Sequence, residues 1–154
     1  DARWVSNESI TRHLSRIKAK RVLVMADSCY AGLLSSAPGF IFAGANKSYS
    51  DAYLEYVLPK KSRLLFTSGG DHPVLDNLGQ GHSVFARSLL DKLENNNKII
   101  SGSELFLTIK DTVTNAASAL GVQQIPEFKA IKGAGHEAGS FFFVPAESPA
   151  VFNQ

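Results

Sequence analysis

The run Arg21-Val22-Leu23-Val24-Met25-Ala26 is apolar from its second residue on and stops abruptly at an acid, Asp27. A short unbroken apolar run of this kind reads as a strand buried inside an α/β sheet. The residues that follow, Asp27-Ser28-Cys29-Tyr30-Ala31-Gly32, then form the exit of that strand, and they carry the only cysteine of the chain. Side chains at the carboxyl edge of a parallel sheet face the crevice where α/β enzymes bind ligands. A thiol becomes a strong nucleophile once a nearby base deprotonates it. A free cysteine is more commonly a small buried hydrophobe. The place of Cys29 just past the strand, rather than within it, favours the nucleophile.

The remaining chain sets bounds on this reading. Its 154 residues amount to about one ordinary domain. A formal net charge of +2 is too small to argue for a nucleic-acid or membrane partner. One cysteine excludes an internal disulfide and fits a reducing compartment, so a cytoplasmic setting is favoured. No apolar stretch is long enough to span a bilayer.

Periodicity predicts a helix opening at Ser6-Asn7-Glu8, with Ile10, Leu14 and Ile17 on one face and Ser6 or Asn7 as N-cap. Arg12, Arg16, Lys18 and Lys20 read as its solvated surface. The region from Leu33 to Lys61 is long and loop-like, with a short helix expected around Asp51 to Val57. A second buried strand is expected over Leu64 to Ser68, broken by Gly69-Gly70-Asp71-His72-Pro73. An amphipathic helix follows over Ser83 to Leu93. Another is capped by Ser101 or Ser103, reaches about Leu120 and stops at Gly121. Glu127 to Ile131 and Phe141 to Val144 read as extended pieces. Strands alternating with helices predict a mostly parallel sheet.

Asp27 to Gly32 resembles the cysteine motif of caspase-like peptidases, in the Asp-Ser-Cys, His-or-Tyr, small, Gly form carried by metacaspases and their bacterial, orthocaspase-type relatives. Three further blocks extend the resemblance in order: Arg63 to Gly70, Gly81 to Ala86 with Leu89, Leu90 and Leu93, and Gly135 to Pro145. The resemblance implies an α/β fold, a caspase-like three-layer α/β/α sandwich with a mostly parallel sheet, here lacking its N-terminal strands. It also implies that residues 1–154 are the C-terminal part of one catalytic domain, with a long loop at 33–61 and no second domain. The family's histidine lies about 50 residues before its cysteine. Only 28 residues precede Cys29, so the expected partner of this chain is an upstream part of the same domain.

On this resemblance Cys29 is the nucleophile of a cysteine endopeptidase and its backbone N–H an oxyanion donor. Asp27 would line the pocket for a substrate Arg or Lys; the plainer alternative is that it caps the following turn. Ser68 and Gly69, with Gly70, would form the edge along which an extended peptide or protein substrate lies. Asp76 would deepen the acidic pocket, ahead of Asp71, although both also suit turns. Of the four histidines, His13 reads as surface, His82 as a cap or packing residue, and His72 and His136 as turn residues out of family order. No zinc-ligand spacing occurs and no cofactor is expected; the residues leave calcium activation open. Lys47, Lys60, Lys61 and Arg63 are the expected sites of self-processing. The runner-up reading is a catalytically inactive interaction module. A nucleotide-binding domain lacks its glycine-rich loop, and a hydrolase elbow lacks the glycine two residues before Cys29.

Overall fold

A computed structural model describes residues 5–28, 49–70 and 81–146 of the chain. Helix α1, Asn7–Arg16, begins at Ser6, whose hydroxyl accepts the Ser9 N–H at 3.1 Å, and ends where Ile17 turns extended. Strand β1 is Arg21–Ala26 and helix α2 is Asp51–Val57, capped by Ser50. Strand β2, Ser62–Thr67, is buried along its whole length. Helix α3, Val84–Glu94, is capped by Ser83; strand β3 is the pair Ile100–Ser101. Helix α4, Gly102–Ala119, is capped by Ser101 and closed by Gly121 at φ +70°, a left-handed geometry that suits glycine. Strand β4 is Glu127–Ala130 and β5 is Phe142–Phe143. Four serine hydroxyls thus satisfy N–H groups that the first helical turns leave open.

β2 lies between β1 and β4, and the two sides differ in direction. β1 runs parallel to it, in the register Arg21 opposite Ser62 through Ala26 opposite Thr67. β4 runs antiparallel, with Leu64 opposite Ala130 and Thr67 opposite Glu127. β3 and β5 form a separate antiparallel pair. The expected caspase-like sandwich with a mostly parallel sheet is therefore not found. The described residues form a small α/β domain with a mixed, mostly antiparallel sheet that does not close into a barrel.

The reason lies in the two helices between β2 and β4. Ser83, at the start of α3, meets Asp27 at the carboxyl end of β1, whereas Ser103, at the start of α4, lines the same cavity as Leu64 near the other end of β2. Past α4 the chain is back at the first end, where Gln124 Nε2–H donates to Ser68 O at 2.9 Å. A single crossover helix would deliver the chain to the start of a parallel strand. Two helices return it to the end it left, and β4 must run back.

The main core joins Leu64 and Phe66 of β2 to Phe85 and Leu89 of α3, Leu105, Phe106, Ile109 and Val113 of α4, and Phe128 of β4. Phe66 has no exposed surface and meets Phe85, Phe106 and Phe128 edge-on at centroid separations of 4.9, 5.6 and 5.9 Å. The opposite face is thinner: Leu65, Ile131 and Ala134 pack with Val24, Ala26 and Leu14 of α1. Arg63 is buried on β2, and its guanidinium donates to Lys20 O, Ser62 O and Ile17 O at 3.0, 2.8 and 2.9 Å. Among the described residues no helix is long and apolar enough to cross a membrane.

Candidate functional site

The carboxyl ends of β1 and β2 bring together three of the residues singled out by sequence. Asp27 leaves β1 directly after Ala26, and Ser68 leaves β2 directly after Thr67, the register partner of Ala26. Ser68 N–H donates to Ala26 O at 3.0 Å, and Ser68 O accepts from Gln124, so the peptide groups of Ser68 are already bonded. Its side chain is fully buried and its Oγ has no partner among the described residues. Gly69 is buried and Gly70 half-buried. Cys29 and Asp76 lie outside the described residues, as do Asp71, His72 and Lys47.

Asp27 is exposed, and its Oδ2 accepts the hydroxyl hydrogen of Ser83 at 2.5 Å. The same Ser83 oxygen accepts the Ala86 N–H at 2.9 Å. One hydroxyl therefore links the end of β1 to the first turn of α3, across 56 residues of sequence. Asp27 acts as a cap at second hand, because it anchors the residue that caps a distant helix; the turn that follows Asp27 lies outside the described residues. The second carboxylate oxygen, Oδ1, makes no bond among the described residues. His82, exposed, precedes Ser83 and so belongs to this end of the sheet as well.

A second acid stands on the other side of β2. Glu127 opens β4 opposite Thr67, two strand spacings from β1, roughly 10 Å. Its carboxylate covers Gly70, where a Cβ would stand 2.9 Å from Oε1, and it pairs with Lys129 Nζ at 2.9 Å. Nothing in the linear sequence marks Ser83 or Gln124 as partners of this end. Glu127 is legible only as the start of an extended piece.

His136, by contrast, lies at the opposite end of β2. Its Nδ1 accepts the Arg63 N–H at 3.1 Å, which leaves the proton of the neutral ring on Nε2. Burial, and then the nearby Arg63 charge, lower its pKa below the ordinary 6.5. His136 is thus a structural acceptor and not the turn residue expected from sequence, since the turn falls at Lys132 and Gly133. His13 Nδ1 bonds Ser9 O within α1. Among the described residues no three His, Cys, Asp or Glu side chains gather as metal ligands do.

The fold and this edge define a small α/β domain with an exposed acid at the carboxyl end of its parallel strand pair. No family model, no curated protein and no solved structure matches the chain.

Proposed function

We propose that this chain carries the nucleophile of a cysteine-type endopeptidase that cleaves after Arg or Lys. Cys29 is the attacking thiol, and an imidazole from an upstream part of the same catalytic domain is its base. The supporting observation is Asp27: an exposed carboxylate whose Oδ1 has no partner among the described residues, at the carboxyl end of the β1–β2 pair and two residues before Cys29. A guanidinium or ammonium of the substrate pairs with that oxygen. The substrate backbone runs past Gly69 and Gly70, with Asp76 as a further acid. The Cys29 thiolate attacks the scissile carbonyl carbon, and the Cys29 N–H receives the developing oxyanion. The imidazolium returns its proton to the leaving amine, and water then cleaves the thioester. A lone thiol fits a reducing, cytoplasmic setting.

Self-cleavage belongs to the same reading, at Lys47, Lys60 or Lys61. Arg63 is a poorer site because it is buried within β2. An intact mass of active enzyme without fragments ending at those lysines counts against self-cleavage.

One observation favours the second reading, an interaction module without turnover. Asp27 already has an intramolecular duty through Ser83, which accounts for an acid at this position without any substrate. Fluorogenic peptides ending in Arg, Lys or Asp, assayed with the natural full-length protein and its Cys29→Ala variant, separate the two. Turnover of Arg and Lys peptides that vanishes in Cys29→Ala supports the peptidase. Preference for Asp, or turnover unchanged by Cys29→Ala, rejects it.

A further inference from the structure

A chamber of about 450 Å³ opens at the end of β2 away from Asp27, within the size range of small-molecule sites. Val57 and Leu64, both nearly inaccessible, form its floor, and Ala52 and Tyr56, both exposed, stand at its mouth. Its polar groups are few. Tyr53 Oη and Ser140 Oγ share a hydrogen bond of 2.8 Å. The Arg63 N–H occupies His136 Nδ1, so Nε2–H is the donor that remains to this half-buried ring in the chamber wall.

No charged side chain lines the space among the described residues. Two cations beside it are already paired: Lys61 with Glu137 at 3.7 Å, and Lys60, whose Nζ lies 3.0 Å from the ring centroid of Tyr56 at the mouth. An ionic ligand would lose its hydration here without a counter-charge, whereas a neutral one loses little. The apolar floor and the tyrosine walls suit a ring system, and the imidazole N–H, with the hydroxyl hydrogen left over in the Tyr53–Ser140 pair, calls for an acceptor.

We propose that this chamber binds an uncharged, mainly apolar ring compound whose carbonyl oxygen accepts the Nε2–H of His136. Binding at this end of β2 is independent of the peptidase reading, and its test involves no turnover. The probes are 1-tetralone, its carbonyl-free counterpart tetralin, and charged 1-naphthoate. Each is titrated into the ¹⁵N-labelled natural full-length protein while amide shifts are followed. Saturable shifts from 1-tetralone are expected, concentrated on Ala52, Val57, Ser103, Ala138 and Gly139. One neutral hydrogen bond corresponds to about 2- to 10-fold tighter binding than tetralin. In His136→Asn the amide oxygen stands in for Nδ1 toward Arg63 while the Nε2 donor is gone. That variant binds 1-tetralone no better than tetralin and leaves tetralin unchanged. Ala52→Trp, at an exposed helical position, blocks the mouth and abolishes binding with the amide spectrum otherwise native. Absence of saturable shifts, shifts centred elsewhere, equal affinity for ketone and hydrocarbon, tighter binding of 1-naphthoate, or binding that survives Ala52→Trp each overturns the proposal.

Discussion

Replacing Ser83 by alanine removes two interactions made by one oxygen. The first is the N-cap of α3, in which Ser83 Oγ accepts the Ala86 N–H at 2.9 Å. Losing a serine cap costs about 1 kcal/mol. The second is the bond to Asp27 Oδ2. A buried bond to a carboxylate is worth about 1.5–3 kcal/mol. Asp27 is exposed, however, and water takes Ser83's place on it, so about 0.5–1 kcal/mol is expected to be lost. Ser83→Ala therefore destabilises by about 1.5–2 kcal/mol, a fall in Tm of roughly 3–8 °C for a chain of this size. Thermal melts followed by circular dichroism, together with urea midpoints at constant slope, measure it. Asp27→Ala loses only the second contribution, and the double-mutant cycle returns that same 0.5–1 kcal/mol as its coupling. Because Ser83 occupies only Oδ2, Ser83→Ala leaves any preference for Arg and Lys substrates intact. A Tm within about 1 °C of wild type, or a cycle with no coupling, refutes the joint between β1 and α3.

Other changes test other parts of the molecule. Asp27→Asn keeps an acceptor for Ser83 but removes the charge; turnover of Arg and Lys peptides should fall about 10- to 150-fold, read as kcat/KM, with Tm nearly unchanged. His82→Ala should alter kcat/KM less than about threefold, whereas a loss of 100-fold or more would move the base into this chain. Gly139→Ala would press its Cβ against Lys60 O and to within 2.9 Å of the Lys61 carbonyl, and should destabilise by about 2–3 kcal/mol in urea unfolding. Acidification should weaken the fold through His136. Its folded pKa lies below 6.5, so the unfolded chain takes up the proton first and stability declines as pH falls from 6.5 through the folded value. Glu137, whose pKa is held down by the Lys61 N–H, adds a loss of the same sign in the lower carboxylate range. Urea midpoints between about pH 7 and 5 should fall more steeply in wild type than in His136→Asn.

Helix boundaries were the most legible part of the chain because single residues set them. Ser6 and Ser101, each one of two cap candidates, bring a hydroxyl to an open N–H, and Gly121 takes the left-handed turn that ends α4; at α3 the cap is Ser83 and not His82. The short helix Asp51–Val57 and the doubly buried β2 were equally readable from their patterns. Strand direction was not read correctly, although the signal was present: two successive helices before Glu127 reverse the chain twice. The pairs Ile100–Ser101 and Phe142–Phe143 are too short for any period to show. At the site, Asp27 and Ser68 fall together because the ends of consecutive parallel strands must. The Ser83 hydroxyl, the Gln124 amide and the Arg63–His136 bond come from packing between distant segments, which no local pattern encodes.

α1 contributes no fully buried side chain to the molecule. Leu14 leans on the thinner core, and Arg63 reaches across from β2 to hold the carbonyl of Ile17, just past the last turn. Held, among the described residues, by Leu14 and the Arg63 clasp, α1 peels away without opening the phenylalanine cluster on the far face. Its amides therefore trade hydrogen for deuterium ahead of those of α4.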